Sequence, residues 1–184
     1  MRTGVLSLQG AFAEHIRKLR DLGNDVFEIR SQKDIEKPFD ALVLPGGEST
    51  AMKKLLDATR LLNPLKQLIS EGIPVLATCA GLILLAKNIE GGEESCFASM
   101  DIEVKRNAYG RQLGSFRCKE HFNGEVIEMP FIRAPYVTKV GKDTEILSVH
   151  DDKIVAVKQG RQIAVSFHPE LTDDTAVYDM FLKI

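Results

Sequence analysis

Short apolar runs alternate with segments of helical spacing through the first 90 residues of the chain. Apolar runs bounded by Gly, Pro or Asn are typical of buried strands; they occur at residues 5–8, 26–29, 41–44 and 73–77. Apolar residues three or four positions apart predict amphipathic helices; they occur at residues 11–22, from residue 49 onward, around residues 65–69 and at residues 82–87. The first half of the chain therefore predicts repeated βα units.

The pattern changes after residue 100, where strand-like runs follow one another closely. They lie at residues 102–105, 112–118, 126–127, 146–149, 154–158 and 163–167, and a closing helix is predicted at residues 173–182. Strands that alternate with helices form a parallel sheet covered on both faces, whereas closely spaced strands pair antiparallel. We therefore predict one α/β domain over residues 1–184, with an open, mostly parallel sheet, helices on both faces and added antiparallel strands.

The composition excludes several classes of function. Of the 184 residues, 44% are hydrophobic and 27% are charged, which indicates a globular rather than a disordered chain. The net charge of −2 lacks the basic surplus of a nucleic-acid binder. The longest uncharged stretch, residues 72–86, contains glycine and proline and is too short for a membrane span. Three cysteines cannot form a complete disulfide framework, so we expect free thiols and a cytoplasmic protein.

The segment at residues 75–83, VLATCAGLI, predicts a strand that turns sharply into a helix through small residues. Such a corner lifts one side chain clear of the backbone at the carboxyl edge of a sheet. Here that side chain is Cys79, placed at the N-terminus of a helix whose dipole favours the nucleophilic thiolate. A small buried packing residue is an equally good interpretation of Cys79 alone. Cys96 and Cys118 are interpreted as packing residues, and since no Cys-x-x-Cys spacing occurs, no metal site is predicted.

His168, Pro169 and Glu170 follow the strand predicted at residues 163–167. The residue before a proline is biased toward extended geometry, in which side chains two positions apart point the same way. A carboxylate beside an imidazole fixes its tautomer and supports its charged form, as in a catalytic triad. A surface His and Glu beside a turn proline is the alternative, which the Cys79 corner disfavours. The other histidines, His15, His121 and His150, are expected to be solvated.

A glycine turn follows the third predicted strand in the segment LPGGEST, residues 44–50. The segment lacks the glycine and lysine pattern of a phosphate-binding loop. Such a turn can instead aim a backbone N–H at a developing oxyanion. The N–H of Gly47, together with that of Ala80 after the nucleophile, would form a two-donor oxyanion hole. A plain strand–helix turn capped by Ser49 is the alternative.

Six blocks of the sequence resemble class I, triad-type glutamine amidotransferases and, within that class, the glutaminase subunits of pyridoxal 5′-phosphate synthases. The class as a whole shares only the cysteine corner and the His-Pro-Glu segment, and the other blocks indicate the subfamily. The blocks are LQGAFAEH (residues 8–15), LPGGEST (44–50), TCAGL (78–82), RNAYGRQ (106–112), FIRAP (131–135) and SFHPELT (166–172). The resemblance implies the flavodoxin-like fold of the class.

The resemblance also implies a role for each matching residue. Cys79 is the nucleophile, His168 the general base and acid, and Glu170 the carboxylate that orients the imidazole. The glutamine pocket that it implies is formed by Gly47, Glu48, Ser49, Arg106, Ile132 and Arg133. A guanidinium suits the free carboxylate of glutamine, which supports the two arginines on physical grounds.

The activity implied by the resemblance is hydrolysis of L-glutamine to L-glutamate and ammonia, without a cofactor or a metal. Its implied partner is the synthase subunit, which receives the ammonia and builds pyridoxal 5′-phosphate. Gln9, at the end of the first strand, is a candidate for sensing that partner. Three alternatives stay open: the glutaminase subunit of another amidotransferase, a catalytically silent interaction protein, and a free-standing cysteine hydrolase.

Overall fold

Strands and helices alternate in the first half of the chain, and strands dominate the second half. The computed structural model describes residues 1–107 and 114–184. The strands are β1 (Arg2–Leu6), β2 (Asp25–Ile29), β3 (Ala41–Leu44), β4 (Val75–Thr78), β5 (Ala86–Ile89), β6 (Met100–Lys105), β7 (Ser115–Phe122), β8 (Glu125–Ile132), β9 (Tyr136–Val140), β10 (Glu145–His150), β11 (Lys153–Gln159) and β12 (Gln162–Val165). The helices are α1 (Phe12–Asp21), α2 (Ser49–Ala58), α3 (Leu62–Ser70), α4 (Ala80–Leu85) and α5 (Ala176–Phe181), with 3-10 helices at Gln32–Ile35 and Pro169–Leu171. Within the described ranges, no helix has the length and apolar character needed to cross a membrane.

One large sheet organises the described residues. Its strand order is β2-β1-β3-β4-β12-β11-β9-β6-β5, and β10 pairs with β11. The five neighbouring strands β2, β1, β3, β4 and β12 pair in parallel. Strand β11 pairs antiparallel with β12, β9 and β10. The order β2-β1-β3-β4-β12 is that of a flavodoxin-like sheet, in which ligands bind beyond the carboxyl ends of the strands near the switch in winding direction. The predicted fold class is therefore confirmed.

The central strands are apolar along their whole length because the sheet is covered on both faces. Leu42 and Leu44 of β3 face one core, whereas Ala41 and Val43 face the other. Helices α2, α3 and α4 supply side chains to the first core, and α1, α5 and the β7–β8 hairpin supply them to the second. Packing on both faces fixes the positions of the parallel strands, so their carboxyl ends lie together at one edge of the sheet.

Beyond shifts of a few residues at the ends of other elements, three segments illustrate where the structure differs from the sequence prediction. The helix predicted at residues 82–87 ends at Leu85, and the chain continues directly as β5. The sequence does not reveal this end, because an unbroken apolar run has no periodicity that changes where the helix stops. Strand β9 is not predicted from the sequence, since Lys139 interrupts its apolar run. Strand β8 extends well beyond the predicted residues 126–127 and includes Pro130. A proline is tolerated there because β7 and β8 form a separate sheet of two strands, both of them edges.

Gly81 lies where α4 passes close to β3. A Cβ atom at residue 81 would stand 2.2 Å from the carbonyl oxygen of Leu44, a backbone atom that cannot move aside alone. We expect Gly81→Ala to lower the free energy of unfolding by about 1–3 kcal/mol, as overpacking does. Urea denaturation measures the effect. The matched control is Gly114→Ala, where no described atom lies within 4 Å of the new Cβ and a change within about 0.5 kcal/mol is expected. Equal stability of the two variants would contradict the close approach.

Candidate active site

A cavity opens at the carboxyl edge of the parallel strands, where the segments after β1, β3, β4 and β12 meet. Its volume is about 600 Å³. Cys79 and His168 lie in its wall, whereas Glu170 is buried behind them. All the residues predicted for the glutamine pocket also line it: Gly47, Glu48, Ser49, Arg106, Ile132 and Arg133. The structure therefore brings the predicted site residues together at one edge of the sheet.

Cys79 occupies the corner between β4 and α4 in an unusual backbone conformation. Its φ and ψ angles are 47° and −98°, and its N–H donates to the carbonyl of Val165 on the neighbouring strand at 2.8 Å. The Sγ atom lies 3.8 Å from the carbonyl oxygen of Ile132. A non-glycine residue in such a region is strained, and strain of this kind concentrates at functional sites. The corner presents the sulfur to the cavity, as the sequence predicts.

Gly46 leaves room for the nucleophile and the base to meet. A Cβ atom at residue 46 would stand 2.4 Å from Cε1 of His168 and 3.4 Å from Cβ of Cys79. The two side chains therefore flank the same glycine, and the nearby thiol contributes to the raised pKa of His168. The absence of a side chain at residue 46 is a condition for this arrangement.

His168 is held through both its side chain and its backbone. Its Nδ1 lies 2.7 Å from Oε1 of Glu170, and its backbone N–H donates to the carbonyl of Pro130 at 2.9 Å. His168 and Glu170 are only 6% and 4% exposed. The juxtaposition does not arise from an extended segment, as the sequence suggests, because Glu170 lies in the 3-10 helix Pro169–Leu171. The turn carries the carboxylate back to the imidazole.

The charges of this group are mutually supporting. Burial alone lowers the pKa of His168, but the hydrogen bonds and charges of Cys79 and Glu170 outweigh it and raise the pKa to about 10. Burial raises the pKa of Glu170, but His15 and His168 more than compensate, so that its pKa is lower than usual. The imidazolium and the carboxylate are therefore both favoured at neutral pH.

Two backbone N–H groups are the predicted oxyanion hole. Ala80 is the first residue of α4, so its N–H has no acceptor within the helix. The carbonyl of Gly46 accepts from the N–H of Ala11 at 3.0 Å. In a trans peptide the N–H of Gly47 points opposite to that carbonyl, away from the start of α1. The glycine turn is thus held by the chain that follows β1.

The polar pocket residues pair with one another. The Glu48 side chain caps α2 by accepting from the N–H groups of Thr50 and Ala51 at 3.0 and 2.6 Å. Although its partial burial raises the pKa of Glu48, these two bonds bring it below its usual value. Arg106 Nη2 lies 3.3 Å from Oε1 of Glu48, and Nη1 contacts the carboxylate of Glu93. The plain turn capped by Ser49 is therefore wrong, since Glu48 is the cap.

The other side of the cavity belongs to the end of β8. Ile132 is 40% exposed, and Arg133 follows it with a φ angle of 45°. The Arg133 N–H donates to the carbonyl of Gly114 at 2.6 Å. This bond joins the residue after β8 to the residue before β7, next to the cavity. Residues 108–112 of the RNAYGRQ block and residues 112–113 of the strand predicted at 112–118 lie outside the described residues.

Gln9 is not a simple strand-end residue. Its side-chain oxygen accepts from the N–H of Glu48 at 3.0 Å and would stand 2.5 Å from a Cβ atom at residue 47. The side chain therefore lies against the glycine turn that carries the predicted oxyanion donor. Its suggested role in sensing a partner stays a prediction.

The prediction that His15 is solvated is wrong. His15 is fully buried and lies behind the triad, where its Nε2 is 3.5 Å from Oε2 of Glu170. Helical spacing was a sufficient signal, because position 15 falls on the same face of α1 as the apolar Ile16 and Leu19. His150 is also mostly buried, with its side chain 13% exposed beside Glu120, whereas His121 is exposed as predicted.

A family model described as the SNO glutamine amidotransferase family matches residues 5–184. The chain belongs to this family. The predicted resemblance is thereby confirmed at the level of the family. The match covers almost the whole chain, including all four segments that meet at the cavity.

Curated relatives of this SNO-family chain are similar to it in sequence along its full length. It is 54% identical to "Pyridoxal 5′-phosphate synthase subunit PdxT" of Methanocorpusculum labreanum, covering 100% of this chain and 97% of the relative. It is 50% identical to the protein of the same name from Haemophilus influenzae, covering 100% and 98%. A solved structure titled "Crystal structure of glutamine amidotransferase" is 39% identical, with a TM-score of 0.92 and coverage of 98% and 97%. The predicted glutamine amidotransferase fold is therefore confirmed.

Proposed function

We propose that this chain hydrolyses L-glutamine to L-glutamate and ammonia by a thioester mechanism, with Cys79, His168 and Glu170 as its catalytic triad. The observation that carries the proposal is the buried line from the Cys79 thiol through the His168 imidazole to the Glu170 carboxylate. That line opens into a cavity large enough for an amino acid, lined by two arginines and a glycine turn.

The first half-reaction forms the thioester. The Cys79 sulfur attacks the side-chain amide carbon of glutamine, and the electron pair of the C=O moves to its oxygen. The N–H groups of Gly47 and Ala80 stabilise that oxyanion, and each such donor contributes about 10²–10³ in rate. When the C–N bond breaks, His168 gives its proton to the leaving nitrogen and ammonia departs. The raised pKa of His168, about 10, keeps the proton available for this step.

The second half-reaction releases the product. His168, now neutral, accepts a proton from a water molecule, whose oxygen attacks the thioester carbon. The C–S bond breaks, the sulfur regains its original state and glutamate leaves. Splitting one difficult amide cleavage into two acyl transfers is the gain of covalent catalysis. Glu170 supports the imidazolium in both halves through its bond to Nδ1.

Arg106 is the residue that we propose to recognise the amino-acid end of glutamine. We expect Arg106→Ala to raise the KM for glutamine by about 10- to 100-fold with a smaller change in kcat, because a charge-assisted contact to the ground state is lost. Steady-state kinetics of glutamate formation measures both constants. The matched control is Arg117→Ala, which removes a surface ion pair to Glu128 on the β7–β8 hairpin and should leave both constants unchanged. An unchanged KM for Arg106→Ala would remove Arg106 from the pocket.

The ammonia is proposed to pass to a synthase subunit that makes pyridoxal 5′-phosphate. The names of the relatives support this, since both are pyridoxal 5′-phosphate synthase subunits. Ammonia released into neutral water would become ammonium, so a partner that receives it directly makes chemical sense. We propose that the complex works in the cytoplasm, where the three free cysteines stay reduced. We propose neither a cofactor nor a metal for the glutaminase step.

The test is ammonia and glutamate release from glutamine by the purified chain, with and without the synthase subunit. We expect release in equal amounts, and co-purification of the two subunits. Turnover of peptides or esters, with no turnover of glutamine under either condition, would contradict the proposal and favour a free-standing cysteine hydrolase.

A further inference from the structure

A second buried polar group lies behind the triad and has no part in the mechanism above. His15 on α1 and Tyr178 on α5 are both fully buried. The Tyr178 hydroxyl lies 2.7 Å from Nδ1 of His15, and Nε2 of His15 lies 3.1 Å from Oγ1 of Thr78, the residue before the nucleophile. These contacts join two helices to the end of β4.

The hydrogen bonds determine which nitrogen of His15 carries the proton. Burial lowers the pKa of His15 and raises the pKa of Tyr178, so both side chains are neutral. In the described part of the chain, the Tyr178 hydroxyl makes no hydrogen bond other than that to Nδ1. A neutral phenol in this position donates, so Nδ1 accepts and the proton of His15 is on Nε2. Tyr178 therefore sets the tautomer of His15.

The Nε2–H of His15 lies between two acceptors, Oγ1 of Thr78 at 3.1 Å and, slightly farther away, Oε2 of Glu170, and can be shared between them. Of the two, the carboxylate oxygen is the one that lacks a donor among the described residues. Oε1 of Glu170 is bonded to His168, but Oε2 is buried and makes no hydrogen bond of normal geometry to any residue within the ranges described. Nε2 of His15 is 3.5 Å from Oε2. A buried carboxylate oxygen without a donor is destabilising, and contacts in resting active sites often tighten only in the reacting complex.

We propose that His15, oriented by Tyr178, is a positioning residue that donates through Nε2–H to Oε2 of Glu170 and so holds the carboxylate against His168. The inference rests on the proposed triad and deepens it, since it adds the group that supports the orienting carboxylate. Glu170 is then held at both oxygens, one by each of two imidazoles. His15 does not touch the substrate.

The charges around this carboxylate allow a test by pH. The charged His168 and the Nε2–H dipole of the neutral His15 favour its ionised form, and Glu14 lies near His15 on α1. The groups around the cavity behind Glu170 are Arg17, Lys18, Asp21 and Asp173. None of these changes in the variants below. Loss of the Nε2–H donor should therefore raise the pKa of Glu170 and move the acidic limb of the kcat profile to higher pH.

The decisive comparison is His15→Asn with His15→Gln in the complex with the synthase subunit. The amide nitrogen of glutamine can occupy the place of Nε2, whereas the shorter asparagine reaches only the place of Nδ1. We expect His15→Asn to lower kcat by about 10- to 100-fold, with little change in KM and with the acidic limb shifted upward. We expect His15→Gln to restore most of kcat and the original limb. Equal losses in both variants with unchanged pH profiles would overturn the proposal, because a purely structural histidine would behave in that way.

Tyr178→Phe tests whether Tyr178 orients His15, and it keeps the proposal testable if a His15 variant does not fold. It frees the tautomer of His15 without removing its side chain, so we expect a smaller fall in kcat, about three- to tenfold, and a shift of the same acidic limb. Wild-type kinetics in Tyr178→Phe would overturn its role in orienting His15.

A readout that does not need glutamine separates this inference from the proposed function. The rate of alkylation of Cys79 by iodoacetamide, followed by mass spectrometry of the peptide that contains it, reports the state of the cysteine–histidine pair as pH varies. We expect His15→Asn, but not His15→Gln, to shift its acidic limb upward. If the wild-type complex turned over no glutamine, the proposed function would fail while this shift still supported the positioning role. Superimposable alkylation profiles in a chain that does hydrolyse glutamine would overturn only the positioning role.

Discussion

Cys79→Ala is expected to lower glutamate release by at least about 10⁴-fold while the chain stays folded, because the sulfur that forms the thioester is lost. The change removes one atom from a small side chain at the rim of a cavity, so little packing is lost. Glutamate and ammonia formed by the complex measure the activity, and denaturant unfolding measures the fold. Glutamate release at the wild-type rate would mean that another residue is the nucleophile.

The backbone at Cys79 makes a second variant informative. A non-glycine residue at φ 47° and ψ −98° carries strain of about 1–3 kcal/mol, which glycine relieves at an entropic cost of about 0.5–1 kcal/mol. We therefore expect Cys79→Gly to be as inactive as Cys79→Ala but at least as stable. Such a result would show that the chain keeps the strain for the position of the sulfur. If Cys79→Gly were clearly less stable than Cys79→Ala, the inference that the backbone is strained at residue 79 would be contradicted.

Cys118→Ala is the matched control for both variants. Burial raises the pKa of the Cys118 thiol to about 11, so it is protonated and unreactive at neutral pH. It lies on β7, outside the residues that line the cavity. We expect full activity from this variant, and a loss comparable to that of Cys79→Ala would remove the distinction between the two thiols.

The sequence predicts the parts of the site that depend on local structure. The corner at Cys79 needs an apolar strand, small residues and an apolar helix, and all three are adjacent in residues 75–85. The same holds for the glycine turn after β3. Because parallel strands place their carboxyl ends at one edge, these corners predict a shared site before any contact is known. The assignment of roles in the glutamine pocket comes from the resemblance and stays a prediction.

The parts that could not be predicted depend on contacts between distant segments. Tyr178 and His15 are 163 positions apart and meet only because α1 and α5 cover the same face of the sheet. The contact of Glu170 with His168 is predicted, but its geometry is not, because a 3-10 turn after Pro169 replaces the expected extended segment. Glu48 is likewise a helix cap as well as a pocket residue, a double role that the sequence does not reveal.

Glu170→Gln is expected to lower kcat by about 10²–10⁴-fold, with a small effect on KM. The glutamine amide can donate to Nδ1 of His168, which would place the imidazole proton on Nε2 and prevent that nitrogen from accepting the proton of the Cys79 thiol. The charge that supports the imidazolium is also lost. The matched control is Glu128→Gln, a surface carboxylate on β8 paired with Arg117, which should keep full activity.

The same variant should change how stability depends on pH. The pKa of His168 is raised from 6.5 to about 10 in the folded chain, so its contribution to stability is complete below about pH 6.5 and is lost as pH rises through about 10. The pKa of Glu170 is lowered from 4.5, so its contribution is present above about pH 4.5 and is lost as pH falls. The free energy of unfolding of the wild-type chain should therefore exceed that of Glu170→Gln most between about pH 5 and 6.5, and the difference should narrow on both sides. Urea denaturation at pH 4, 6 and 9 measures it, and a difference independent of pH would show that the two groups are not coupled as the geometry indicates.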